Sequence, residues 1–349
     1  MKKVLELCLS PDLGGLELYM VRASHFLNAF SVIGVKGKLE QYYCDTEYRY
    51  AAIGRFSFLK LARLIDENDI DVLHLHWTKD IPIAVMAKLL SRKKPKLVQT
   101  RNMRMTRFKD DFYHRFLYKN MDMMLPVTHQ VKEQLEKFIP SDIRPTVEVL
   151  YMGAEIPHYL SADEKEVFRQ QAGLGDEFVV GIVGRIEEAK GQHSVLEAVK
   201  QLNLTGISAK ALVVGHAMDT SYLKELQKEY AEYAVFTGFT REAQKYMQVC
   251  DALVLATENE TFGLVVIEAM MCGVCAVASD SGGPLEIIED GVDGVLFKTR
   301  NVADLTVKLS ELCNDTERRE RLAFAGKIKA LDRFESQKQF RKLSEVFEG

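Results

Sequence analysis

The sequence has no run approaching the eighteen or so uninterrupted apolar residues that a membrane span requires. It has no internal repeat of solenoid length and no low-complexity tract, which excludes repeat arrays and disordered tails. Its six cysteines, Cys8, Cys44, Cys250, Cys272, Cys275 and Cys313, are scattered through apolar surroundings in the manner of reduced core residues. Cys272-Gly-Val-Cys275 has redox spacing, but its first member ends a helical pattern and its second opens a strand. No second pair completes a zinc site, and no other set of His, Cys and carboxylate has ligand spacing. Neither a disulfide scaffold nor a metal centre is expected. The opening Met1-Lys2-Lys3-Val4-Leu5 starts like a secretion leader until Glu6, Pro11 and Asp12 break it. It reads instead as a first strand, and a cytoplasmic location is expected.

What is present is a globular composition, 47% hydrophobic and 28% charged, in a chain of 349 residues, enough for two domains with separate cores. The net charge of −4 hides an asymmetry. Residues 1–150 carry 24 basic against 18 acidic side chains, and the remainder carries 22 against 32. Within the first half, Lys88 to Lys119 holds eleven basic residues and two acidic ones, Asp110 and Asp111. Phe108, Phe112, Tyr113, Phe116 and Tyr118 are interleaved with them. Such a run fits an anionic membrane surface or a phosphorylated substrate, the alternative being a solvated helix with a core-facing aromatic stripe. No nucleic-acid partner is expected, because no recognised binding motif accompanies the run and the second half is acidic.

Short apolar strands alternate with helical patterns throughout, which predicts parallel sheets flanked by helices. Strands are expected near 3–9, 30–35, 71–76, 96–100, 122–127 and 147–151, then near 177–183, 209–214, 234–237, 251–256, 274–279 and 294–297. The polar motifs follow those strands: Gly14-Gly15, His76-Trp77, Arg101-Asn102, Gly184-Arg185, Gly238-Phe239, Glu258–Glu260 and Gly282-Gly283. In open α/β sheets ligands bind at that carboxyl edge. Asp69-Ile-Asp71 has the look of a metal-binding pair, but it opens a strand, at the opposite edge.

The most specific stretch runs Thr257-Glu-Asn-Glu260-Thr-Phe262-Gly263-Leu264-Val-Val-Ile-Glu268-Ala-Met, with Gly282-Gly283-Pro-Leu-Glu286 behind it. Glu268 is the only charge between Leu264 and Gly273, and a buried carboxylate there is costly unless bonded. Glu260 lies in the turn before the expected helix, whose N-terminus after Gly263 offers unpaired N–H groups to an anion. This pattern resembles the retaining nucleotide-sugar glycosyltransferases of the GT-B type, in the large family four (the group 1 glycosyl transferases).

The resemblance implies an α/β, GT-B architecture, with two doubly wound Rossmann-like domains facing across a cleft. It implies an acceptor-binding domain over 1–155, a donor-binding domain over 156–333, and a C-terminal helix over 334–349 crossing back to the first domain. Arg185 and Lys190 match the family's cation pair on the donor diphosphate, and with Glu260 they form the expected catalytic set. Donor binding is expected from Gly14, Gly15, Gly184, Arg185, Lys190, Phe239, Thr240, Glu260, Phe262, Gly263, Leu264 and Glu268. Of these, Glu268 takes the ribose hydroxyls and the Phe239-Thr240 loop frames the base. His76, Arg101 and Asn102 are acceptor-side candidates, His76 having a satisfied wall histidine as its alternative.

The chain departs from the family at Asn102, where many members carry His. It also departs at Thr261, where Gly is favoured, and at Cys275, where Pro is. The expected partners are a UDP- or GDP-sugar and a glycan or lipid-linked acceptor, with no cofactor and no metal. The expected setting is cell-surface polysaccharide or lipopolysaccharide synthesis, in the cytoplasm or peripherally on the inner membrane face. A nucleotide-sugar epimerase of related fold and a non-catalytic nucleotide-sugar-binding subunit are the alternatives.

Overall fold

The computed structural model describes every residue except Met1 and Asp45. Contacts divide the chain into two units, one of residues 1–151 with Gln337–Gly349 and one of Met152–Ser336.

The first unit contains β1 (Val4–Cys8), β2 (Phe30–Gly34), β3 (Tyr50–Ile53), β4 (Val72–Leu75), β5 (Lys96–Arg101), β6 (Met123–Pro126) and β7 (Thr146–Val147). They pair in the order β3-β2-β1-β4-β5-β6-β7, every pair parallel. The crossovers carry α1 (Gly15–Leu27), α2 (Lys38–Cys44), α3 (Phe58–Glu67), α4 (Ile81–Leu90), α5 (Phe112–Lys119) and α6 (His129–Phe138). In the second unit α7 (Ala162–Gln171) precedes the sheet of β8 (Phe178–Val183), β9 (Ala209–Val214), β10 (Ala234–Gly238), β11 (Ala252–Leu255), β12 (Cys275–Ser279) and β13 (Val295–Phe297). Its order is β10-β9-β8-β11-β12-β13, again all parallel. The helices here are α8 (Gln192–Leu204), α9 (Thr220–Glu229), α10 (Ala243–Met247), α11 (Leu264–Met271), α12 (Pro284–Ile287), α13 (Val302–Asn314) and α14 (Thr316–Arg333). Finally α15 (Ser336–Glu348) ends the chain.

Both sheets are buried on two faces, as parallel sheets must be, because the crossover helices cover them. All five residues of β1 are buried, as are all four of β11. In the first unit Leu5, Leu73, Leu75 and Leu97 face one core, and Cys8, Met20, Ile33 and Tyr43 face another. On α15, Phe340 packs against Tyr19 with ring centroids 5.4 Å apart and Phe347 against His74 at 5.1 Å. In the second unit Val180, Ile182, Val195, Leu196 and Leu309 form the larger core.

The strands read from the sequence are all present, and the last of the first unit is shorter than expected, ending at Val147. The pattern did not announce β3. Three of its four residues are half-exposed at the sheet's edge, so it lacks the continuous apolar run that marks the central strands.

In each sheet the order of addition reverses once, between β1 and β4 and between β8 and β11. The loops leaving those four strands are where such sheets bind ligands. No helix among the described residues is long and apolar enough to cross a membrane.

Candidate functional site

The second unit's switch point is built by the loops after β8 and β11. Gly184 directly follows β8 and donates its N–H to the Val214 carbonyl at 2.9 Å. Arg185 projects half-exposed and pairs with Glu187 at 2.9 Å, while its carbonyl accepts from Nε2 of Gln192 at 2.8 Å. Lys190 Nζ meets Glu260 Oε2 at 3.2 Å, the two side chains being 27% and 20% exposed. These residues are 70 apart in the chain. Adjacency of β8 and β11 puts the cation of one loop against the carboxylate of the other. A half-buried pair of this kind can be exchanged: an anion that competes for Lys190 would free Glu260 to accept hydrogen bonds.

The α11 start follows directly. Gly263 occupies the N-cap position with φ 101°, which a side chain rarely adopts, and supplies no side-chain cap. The N–H groups of Leu264 and Val265 therefore lack both an intrahelical acceptor and a side-chain cap, while that of Val266 donates to the Gly263 carbonyl at 2.9 Å. Phe262 is buried beside them, and Glu268 is half-buried one turn on. The exit of β12 laces this loop from below. Ser279 Oγ donates to the Thr257 carbonyl at 2.8 Å and Ser281 Oγ to the Glu258 carbonyl at 2.6 Å. The Gly283 N–H donates to the Glu260 carbonyl at 3.0 Å. A Cβ on Gly282 would stand 2.0 Å from the Glu260 carbonyl oxygen, and one on Gly283 2.1 Å from that of Phe262. The Gly-Gly pair is thus explained by close backbone approach, and Glu260 through Gly263 are positioned by it.

Phe239 is exposed beyond β10, its ring edge-on to His216 at 6.0 Å, and Thr240 Oγ1 accepts from the Glu242 N–H at 3.0 Å. A cavity of about 370 Å³ opens beside Glu188, Gly191, Ser194, Glu258 and Arg300, and none of Arg185, Lys190, Glu260 or Glu268 lines it.

In the first unit, Gly14 is the N-cap of α1 and its N–H donates to Glu17 Oε2 at 2.9 Å. That leaves Gly15, the first residue of α1, as the donor of the pair whose helical position has no intrahelical acceptor. The buried Glu17, the last residue of the Gly14-Gly15-Leu16-Glu17 motif, is given no role by the sequence, although Glu three residues after a cap is the signal for this bond.

His76 turns inward. Glu6, His74 and His76 are all buried on one sheet face, their ligand atoms within 4.8 Å of one another. Glu6 Oε2 accepts from Nδ1 of His74 at 2.8 Å and from Nε2 of His76. Nε2 of His74 is in hydrogen-bond contact with Thr100 Oγ1 at 2.8 Å. Sequence spacing gave no sign of this cluster, because Glu6 and His74 meet only through the β1–β4 register. Its bonding is that of a carboxylate held by two imidazoles. Burial and the neighbouring His74 charge push His76 down to about 4, against the opposing pull of Glu6. Asp80, at the start of α4, accepts the Leu9 N–H at 2.8 Å. Burial pushes its carboxyl up to about 7 despite that bond and the charge of Arg55.

Arg101 is buried at the end of β5, bonded to Thr78 Oγ1 at 2.7 Å and to two loop carbonyls. Both amide atoms of Asn102 are sheltered from solvent and unpaired. Asp69 and Asp71, set aside above as a metal pair, bind Lys93 at 2.6 and 3.7 Å.

Residues 163–329 match the family model of glycosyl transferases group 1, and residues 23–128 that of glycosyl transferase 4-like proteins. The N-acetyl-alpha-D-glucosaminyl L-malate synthase of Bacillus anthracis is 21% identical over 335 residues, covering 90% of this chain and 86% of that protein. The GDP-mannose-dependent alpha-(1-6)-phosphatidylinositol monomannoside mannosyltransferase of Mycolicibacterium smegmatis is 29% identical over 201 residues. That match covers 54% of this chain and 52% of the relative. Among solved structures, HepE of Anabaena in complex with UDP is similar with a TM-score of 0.88 at 22% identity, over 99% of both chains. Two Rossmann-like parallel sheets, two matched family models and relatives spanning both units agree: this chain belongs to the group 1 glycosyltransferases of the GT-B fold.

Proposed function

We propose that this glycosyltransferase moves a sugar from a UDP- or GDP-sugar to a glycan or lipid-linked acceptor, with retention of configuration and without a metal ion. The setting is the synthesis of cell-surface polysaccharide or lipopolysaccharide. The observation that carries the donor half is the Lys190–Glu260 pair beside the uncapped start of α11. It gathers a cation, unpaired N–H groups and a carboxylate, which are the partners a diphosphate and a sugar need. HepE is described with UDP-glucose and the M. smegmatis relative as GDP-mannose-dependent, which supports a nucleotide-sugar donor and leaves both bases in play.

In this reading the acceptor oxygen forms its bond to the anomeric carbon on the face from which the diphosphate oxygen departs. The departing phosphate takes the acceptor's proton. Lys190, Arg185 and the α11 N–H groups stabilise the charge that grows on the diphosphate. Lys190 moves from Glu260 to phosphate as the donor binds.

Exposed aromatics favour a membrane surface over a solvated helix for the basic segment. Phe112 is 89% exposed and Phe108 and Tyr113 are more than half exposed, while Leu117 and Tyr118 face the core. Co-sedimentation with vesicles should therefore rise with anionic lipid and fall with salt; binding indifferent to both would remove this part of the proposal.

The decisive experiment is a thermal-shift panel of UDP, GDP, ADP and their common sugars, repeated with Glu268→Ala. A stabilisation by one nucleotide series that the variant loses would support the donor site. No shift with any of them would refute it. Product analysis then separates transfer from epimerisation, and turnover separates either from a binding subunit.

A further inference from the structure

Arg101 is a buried cation without a buried anion. It is 6% exposed. Nε donates to the Met103 carbonyl at 2.7 Å, Nη1 to Thr78 Oγ1 at 2.7 Å and Nη2 to the Arg104 carbonyl at 3.2 Å. All three acceptors are neutral, and no carboxylate pairs with it among the described residues. Burial therefore pulls the guanidinium pKa down, the main opposing influence being the nearby Tyr118.

A loop brace accounts for three of the five N–H donors and leaves one on each Nη. It also leaves the charge uncompensated, which is the costly part of burying an arginine. The next residue repeats the anomaly: Oδ1 and Nδ2 of Asn102 are both sheltered and without partners. Surrounding charge is mostly positive, with Asp111 opposing it at Lys109. Lys109 is pulled down by burial and then by the charges of Arg107 and Arg101. Sheltered donors without acceptors, on a strand's carboxyl end and in a positive field, ask for an anion.

We propose that Arg101 and Asn102 form a subsite for an oxyanion, a phosphate or carboxylate group carried by the acceptor. Two remaining guanidinium N–H groups match two oxygens of either group, and the Asn102 amide donates to one of them. Naming the ligand as the acceptor rests on the transferase reading; the anion subsite itself does not.

The test uses the full chain with Arg185→Ala and Lys190→Ala together, which removes both cations of the donor loop as a competing anion site. Inorganic phosphate, glycerol phosphate and malonate are titrated in turn by calorimetry. The expected result is saturable binding, tighter for either the phosphates or the dicarboxylate, which tells the two sources apart. Arg101→Gln, and separately Asn102→Leu, should each weaken it roughly 10- to 100-fold, the range of one charge-assisted hydrogen bond. Arg101→Lys, which keeps the charge and loses the fork, should weaken it as well. Asn102→Leu leaves the three bonds of Arg101 in place, so it decides the matter even if Arg101→Gln does not fold. Binding that survives both Arg101→Gln and Asn102→Leu, or no saturable binding by any probe, would overturn the proposal. Wild-type protein that binds these anions through Arg101 yet binds no nucleotide would overturn the donor reading and leave the subsite standing.

Discussion

Replacing Glu6 by Gln should destabilise the first unit by about 3 kcal/mol at neutral pH, and the deficit should narrow in acid. Glu6 has no solvent exposure, and Oε2 accepts from both His74 and His76. Burial alone would raise its carboxyl; the charge and hydrogen bonds of His74 and His76 outweigh burial and hold it at about 2, against an ordinary 4.5. A carboxyl lowered on folding stabilises the native state above its unfolded pKa and loses that contribution as pH falls from 4.5 towards 2. The difference of about two and a half units corresponds to roughly 3 kcal/mol, at about 1.4 kcal/mol per unit. His76, lowered from 6.5 to about 4, works in the same direction over the higher window, and losing the opposing pull of Glu6 in the variant should hold it lower still. Trp77, the only tryptophan, follows His76 in the chain and stacks with Arg55 and Lys79, so its fluorescence reports this unit. Urea midpoints followed by that signal from pH 7 to pH 3.5 cover the first pH unit of the Glu6 window, over which the deficit should narrow by about 1.4 kcal/mol. Two curves that lie within about 0.5 kcal/mol at pH 7 and run parallel into acid would refute the reasoning, since surface-like substitutions fall in that range.

Three further outcomes are expected. Lys190→Ala should lower kcat/KM by about 100-fold, on the order of 3 kcal/mol of transition-state stabilisation, measured once donor and acceptor are in hand; wild-type turnover would exclude a catalytic cation there. Gly283→Ala drives a Cβ to within 2.4 Å of three backbone atoms of Phe262, so the loop holding Glu260 must shift. About 1–3 kcal/mol of stability should be lost together with nucleotide affinity, and a thermal-shift assay that finds both intact would contradict the packing argument. Glu17→Ala removes the acceptor of the Gly14 N–H and should cost about 1 kcal/mol by chemical denaturation, with no change if the bond is not formed in solution.

The alternation of apolar strands and amphipathic segments was enough to place the strands of both sheets except the edge strand β3, because buried parallel strands carry an unbroken apolar run. The same pattern placed the polar motifs on the carboxyl edge, and the lone charge of Glu268 within an apolar helix marked that helix as unusual. Glu6 shows what sequence cannot give. In the linear chain it only interrupts an apolar start; in the sheet it lies opposite His74 and holds two imidazoles.

Lys190 and Glu260 were expected to serve one ligand, but their direct pairing comes from the adjacency of β8 and β11. The glycines at 282 and 283 read as a motif, and only the backbone 2 Å away explains why a side chain is barred there. The physical reason is common to all of these. Period and composition are local properties, fixed by which faces a segment must bury, so the sequence determined the elements and the edge on which the chemistry sits. In a doubly wound sheet neighbouring strands are joined through helical crossovers, so contacts between their loops have no fixed spacing. Which charge meets which, and which cation is left buried alone at Arg101, was decided only by the tertiary structure.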